Sequence, residues 1–85
     1  MNATITVTPA TDELLDEYNT LAFMQNVEDM LEYARRWKVL AVRADANGRP
    51  ALAGMCDARA KHYGEFTGGE YVKLVNGPLA EWLAV

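Results

Sequence analysis

Eighty-five residues, twelve acidic against eight basic side chains and a net charge of −4 bound the reading at once. A chain this short reads as a single domain, 1–85, that buries only about 60–65% of its unfolded surface, so it has little room for an enclosed active site. An apolar share of 51% excludes a disordered chain, and the acidic balance excludes ordinary nucleic-acid binding, which needs a basic stripe to neutralise phosphates.

In chain order, residues 3–8 alternate Thr with small or apolar residues, and Ile5 and Val7 share one side. This predicts a short edge strand, ended by Pro9. Thr11 then suits a helix N-cap, with Asp12 and Glu13 in the first turn, where the helix dipole favours anions. Leu14, Leu15, Tyr18, Leu21 and Ala22 fall on one helical face. From Phe23 the apolar stripe changes phase: Phe23, Val27, Met30, Ala34 and Trp37 lie nearly opposite the first set at about 100° per residue. The phase change predicts a break between Asn19 and Asn26. Asn26 would cap the second helix, with Asp29 three residues on in the manner of a capping box. The alternative is one continuous helix across 11–38, buried on both sides.

Residues 37–43 read as the best strand in the chain. Asn47-Gly48 is a strong hairpin signal, and 51–56 would return as the partner strand. Residues 57–69 are the least legible: a helical turn near Ala58, a strand running on towards Tyr63, and a glycine-rich loop all fit. Residues 70–75 alternate as a strand, Asn76-Gly77-Pro78 is a turn, and 79–85 is a short helix or a last strand. The expected fold is α+β in the order β-α-α-β-β-β-α, a three- or four-stranded, mainly antiparallel sheet packed against two helices from the N-terminal half.

No motif in the chain carries recognisable chemistry. Cys56, Asp57, His62 and Glu65 are all possible metal ligands, but one Cys and one His lack the paired spacing of a zinc site, so no metal and no cofactor is expected. Cys56 and His62 as nucleophile and base lack an orienting third group. The stretch 64–69 is glycine-rich without the Lys-Ser/Thr ending of a phosphate loop. Trp37 and Trp82 suit the core of so small a domain. The lone cysteine points to a reducing, cytoplasmic setting. The N-terminus lacks the pattern of a signal peptide, and the longest aliphatic run, 39–42, is too short to span a bilayer.

The charge distribution is the strongest functional signal. Residues 1–34 hold seven acids and no base (−7), and residues 35–85 hold eight bases and five acids (+3). Asp12, Glu13, Asp16, Glu17, Glu28, Asp29 and Glu32 include three like-charge i,i+4 pairs (Asp12/Asp16, Glu13/Glu17, Glu28/Glu32), each unfavourable by about 0.2–0.5 kcal/mol on a helix. Glu32/Arg36 is the favourable pair. A field kept at that cost suits docking on a basic surface, and two helices side by side would merge the seven acids into one patch. The resulting expectation is a non-enzymatic binding module whose acidic face docks on a basic, nucleic-acid-handling protein, as a nucleic-acid mimic or steric inhibitor. In size and charge alone the chain is similar to small inhibitors carried by phages and mobile elements, anti-CRISPR proteins among them. The alternative is a self-associating adaptor or homodimer that uses a sheet edge and an aromatic loop, with Tyr63, Phe66 and Tyr71 as a secondary interface. Least favoured is a small enzyme built on Cys56 and His62. Neither direct nucleic-acid binding nor membrane association is expected.

Overall fold

Where the sequence suggests a sheet within residues 37–75, the chain is helical. The structure, a computed structural model, describes residues 12–77. Among these the regular elements are α1 (Glu13–Ala22), α2 (Met30–Ala46), α3 (Pro50–Gly64) and α4 (Glu70–Asn76), with a 3-10 turn at Glu65–Thr67 before α4. The α+β expectation is therefore corrected to an all-helical arrangement among the described residues. The expected strands at 37–43, 51–56 and 70–75 lie in α2, α3 and α4. The strand expected at 3–8 and the element at 79–85 with Trp82 lie outside the described residues, and the cap of α1 is Asp12 in place of the expected Thr11.

The phase change does divide 11–38 into two helices. α1 stops at Ala22, and the chain is irregular until α2 opens at Met30. The cap is not Asn26, which adopts a left-handed φ of 57°. It is Asp29, whose carboxylate accepts the Glu32 N–H at 3.0 Å. Asp12 does the same for α1, accepting from Leu15 N–H at 3.1 Å. Asp is as good a cap as Asn, and here it also meets the positive end of the dipole.

α2 runs through the expected strand because its buried set keeps helical spacing: Tyr33, Ala34, Trp37, Leu40, Ala41 and Ala44. Val39 and Val42 gave 37–43 its strand character, yet each lies on the half-buried flank of this face. Asn47-Gly48 turns the chain between helices. Gly48 takes φ +72°, a conformation that glycine adopts without strain, and the Asn47 amide donates to the Arg43 carbonyl at 2.7 Å. Pro50 then starts α3, where its missing N–H costs nothing. α3 buries Leu52, Cys56, Ala60 and Gly64, every fourth residue. Three of these four are small, so the ridge lets α2 approach closely.

Tyr33 against Tyr63 and Lys38 against Asp57 show that α2 and α3 are antiparallel. α1 is antiparallel to α2: Glu17 meets Arg36, and the Tyr33 hydroxyl donates to the Leu21 carbonyl. The single described core centres on Trp37, which is fully buried. Tyr18 and Tyr33 meet its ring edge-on at 5.3 and 6.2 Å, and the Arg59 guanidinium lies 5.1 Å from it. Its expected core role holds. α4 closes over the end of α3. Tyr71 sits directly on Gly64, where a Cβ would come within 2.6 Å of the Tyr71 ring.

Candidate protein-binding surface

The antiparallel packing of α1 decides where the acids go. Asp12 and Glu13 lie at its start, beside Arg49 at the α2–α3 turn. Glu28, Asp29 and Glu32 lie at the opposite end, around the first turn of α2. Ten residues of α1 separate the groups, which is about 15 Å of helical rise. The seven carboxylates therefore do not merge into one patch.

Three of them are also taken up by the basic part of the chain. Asp12 pairs with Arg49 at 2.5 Å, Glu17 with Arg36 at 3.2 Å, and Glu32 with Arg35 at 2.5 Å. The favourable partner of Glu32 is thus Arg35, one residue earlier than expected, and Arg36 crosses to α1. The Arg49 guanidinium and the Leu15 N–H hold the Asp12 carboxyl below its ordinary range, and Arg35 does the same for Glu32. Asp29 is engaged as a cap. Among the described residues, Glu13, Asp16 and Glu28 are exposed and have no Lys or Arg within ion-pair reach.

The open end of the bundle combines charge with apolar surface. The C-terminal end of α1, the first turn of α2 and the last turn of α3 meet there, because Tyr33 touches both Leu21 and Tyr63. Phe23 is 79% exposed, Phe66 is 66% exposed and Met24 is 38% exposed. Phe66 is braced: the His62 ring meets it at 5.6 Å, His62 meets Tyr63 at 5.1 Å, and Tyr63 meets the buried Tyr33 at 4.8 Å. A ring already held in place loses little freedom on binding. Glu28 and Asp29 stand at the same end, and both are exposed.

The secondary aromatic set divides accordingly. Phe66 is an exposed anchor, Tyr63 is half-buried behind it, and Tyr71 belongs to the core at 5% exposure. Burial pushes the Tyr71 hydroxyl up to about 12. There is no sheet edge among the described residues to support edge pairing. Sequence reasoning assigned Phe23 to a core stripe and missed its exposure. The phase change was the available signal, since a residue caught between two opposed stripes belongs to neither.

Comparison with protein-family models, curated proteins and solved structures found no match.

The other candidates are placed as follows. Cys56 and His62 both lie on α3, and six residues put them about 120° apart around a helix. Cys56 is fully buried and His62 is exposed. Burial pushes the thiol up, away from the thiolate a nucleophile needs. Asp57 points elsewhere, to Lys38 at 2.8 Å and Lys61 at 3.3 Å. No group of three His, Cys, Asp or Glu side chains suited to a metal occurs among the described residues. None of the described helices is long and apolar enough to cross a membrane.

Proposed function

We propose that the chain is a non-enzymatic protein-binding module that docks through its open end onto a basic surface of another protein. The observation that carries this is the exposure of Phe23 (79%) and Phe66 (66%) at the end that also bears Glu28 and Asp29. Aromatic side chains supply most of the energy at interface centres. Carboxylates at the rim steer a basic partner and set orientation. The three internal ion pairs weigh against a nucleic-acid mimic, which needs a long run of free carboxylates, and favour a steric inhibitor. The partner class remains a cytoplasmic protein that handles nucleic acid, because many basic surfaces in that compartment are nucleic-acid channels. The single buried cysteine is consistent with the reducing setting.

The test is affinity purification from a bacterial lysate at two salt concentrations, comparing wild type with Phe23→Ser/Phe66→Ser and Glu28→Lys. Asp12 and Glu17 are poor choices for charge reversal, since each would face its own arginine partner with the wrong sign. Salt-sensitive recovery of a nucleic-acid-handling protein by wild type, lost in the double serine variant and reduced in Glu28→Lys, is the expected result. Equal recovery by all three would remove the open end from consideration.

A further inference from the structure

The irregular chain between α1 and α2 and the first turns of α2 line a groove. Met24, Val27 and Tyr33 give it apolar walls, and Glu28, Asp29 and Glu32 stand along it. Val27 is half-buried and Tyr33 buried, whereas the three acids are exposed. The groove has a volume of about 280 Å³, below the roughly 300–1,000 Å³ of pockets that enclose small molecules. That size suits one long side chain.

Two observations say which side chain. The first is charge, counted with every neighbour that bears on it. Glu32 pairs with Arg35, and Arg36, the one base in the lining, pairs with Glu17. Neither Glu28 nor Asp29 has a Lys or Arg within ion-pair reach among the described residues. With Glu17 and Arg35 included, four carboxylates stand against two guanidiniums, a net of −2. The second is the chain's own arginine. One guanidinium nitrogen of Arg36 lies 3.2 Å from Glu17 and the other 3.6 Å from the Met24 sulfur. A guanidinium therefore already rests against this wall, between a carboxylate and a thioether. Val27, Glu28 and Asp29 offer the same combination of apolar surface and carboxylate, with no base paired to it among the described residues. A guanidinium is planar and more weakly hydrated than an ammonium, so it enters an apolar-walled groove at lower cost and can engage two carboxylates at once.

We propose that this groove takes an arginine side chain of the partner, with its stem against Met24 and Val27 and its guanidinium on Glu28 and Asp29. The inference rests on the open-end reading for the partner's basic surface, and it adds which side chain of that surface is read.

The experiment titrates the full chain with the capped tripeptide acetyl-Gly-Arg-Gly-amide, followed by amide NMR shifts, beside the lysine and citrulline counterparts. The arginine peptide should shift the amides of residues 24–36 and leave those of α4 and the α2–α3 turn in place. The lysine peptide should bind several-fold more weakly, and the uncharged citrulline peptide should leave the groove unshifted. Glu28→Gln/Asp29→Asn should weaken arginine binding several-fold, and asparagine still caps α2. Glu28→Gln alone changes an exposed residue outside the helices, and it carries the test should the double variant fail to fold. Equal binding of the lysine and arginine peptides overturns the proposal. So do equal shifts at Glu13 and Asp16, or binding unchanged in both variants. Capture from lysate separates this result from the open-end reading. Capture lost in Phe23→Ser/Phe66→Ser but unchanged in Glu28→Gln/Asp29→Asn overturns the groove alone. Capture indifferent to the two rings, with the arginine peptide still held at the groove, overturns the open-end reading alone.

Discussion

The two ends of α1 present opposite uses of the same residue type. At the N-terminal end, Asp12 is a cap and an ion-pair partner at once, bound to the Leu15 N–H and to Arg49. Midway, Glu17 is bound by Arg36. At the other end, Glu28 has no Lys or Arg within ion-pair reach among the described residues, and this end also carries the exposed Phe23 and Phe66. Acidity by itself therefore does not mark an interface. What distinguishes the open end is that exposed acids share it with the two most exposed aromatic side chains, Phe23 and Phe66. Much of the separation in sign between the two parts of the chain is used internally, to fasten α1 onto α2 and the α2–α3 turn.

Replacing Trp37 by Ala tests the shared support of both ends and carries the largest expected effect. Trp37 is fully buried against Tyr18, Tyr33 and Arg59, and the loss should be about 3–5 kcal/mol in urea unfolding. A loss below about 1 kcal/mol would mean that α1 and α3 do not depend on one core. Gly64→Ala comes next, at about 1–3 kcal/mol, because the new methyl meets the Tyr71 ring and must displace α4. Its effect should be confined to faster amide exchange in α4 and the last turn of α3, leaving α1 unchanged. A uniform effect across the chain would show that the ends are not separable.

Acidification should act on the ion-paired regions and spare the rings. Burial raises the Asp57 carboxyl, but Lys38 and Lys61 together outweigh it, so the group is held below its ordinary value of 3.8. Asp12 and Glu32 are held low as well. A carboxyl lowered in the folded state adds stability above its unfolded value and loses it as pH falls through the folded one. The urea midpoint should therefore hold steady above about pH 5 and decline below about pH 4, and Asp57→Asn should flatten part of that decline. A midpoint level down to about pH 2 would contradict the ion pairs. At the alkaline side the sign reverses. Tyr71, raised to about 12 by burial, adds stability below its ordinary value of 10.0 and loses it above, so Tyr71→Phe should blunt the loss. The smallest effect on stability belongs to Phe23→Ser and Phe66→Ser, within about 0.5 kcal/mol each, as exposed side chains. A larger loss in the melting curves would make them structural residues and undo the contrast between the ends.

Several parts of this picture were legible from sequence. The break in 11–38 followed from a stripe that changed sides, Trp37 from the scarcity of large hydrophobes, and the turn at Asn47-Gly48 from its dipeptide. The sheet was misread for a reason specific to this chain. In 37–43 and 51–56 the buried residues are Trp37, Leu40, Ala41, Leu52 and Cys56, and the small Ala41 and Cys56 complete the helical face. Alanine carries almost no periodic signal, so the valines and the Asn-Gly turn dominated the reading. In 70–75, Tyr71, Leu74 and Val75 satisfy helical spacing as well as strand alternation does, and only packing on Gly64 chooses between them. The exposure of Phe66 was legible from its place in a glycine-flanked stretch, whereas that of Phe23 was not.

By itself the sequence determined the acidic excess, the division of 11–38 and the central tryptophan, because each is a property of local spacing or composition. Only the tertiary structure decided which acids remain free. That depends on whether an arginine nineteen residues away, as Arg36 is from Glu17, or thirty-seven, as Arg49 is from Asp12, is brought within reach. The antiparallel placement of α1 does this for Asp12 and Glu17 and, among the described residues, leaves Glu28 unpaired at the open end.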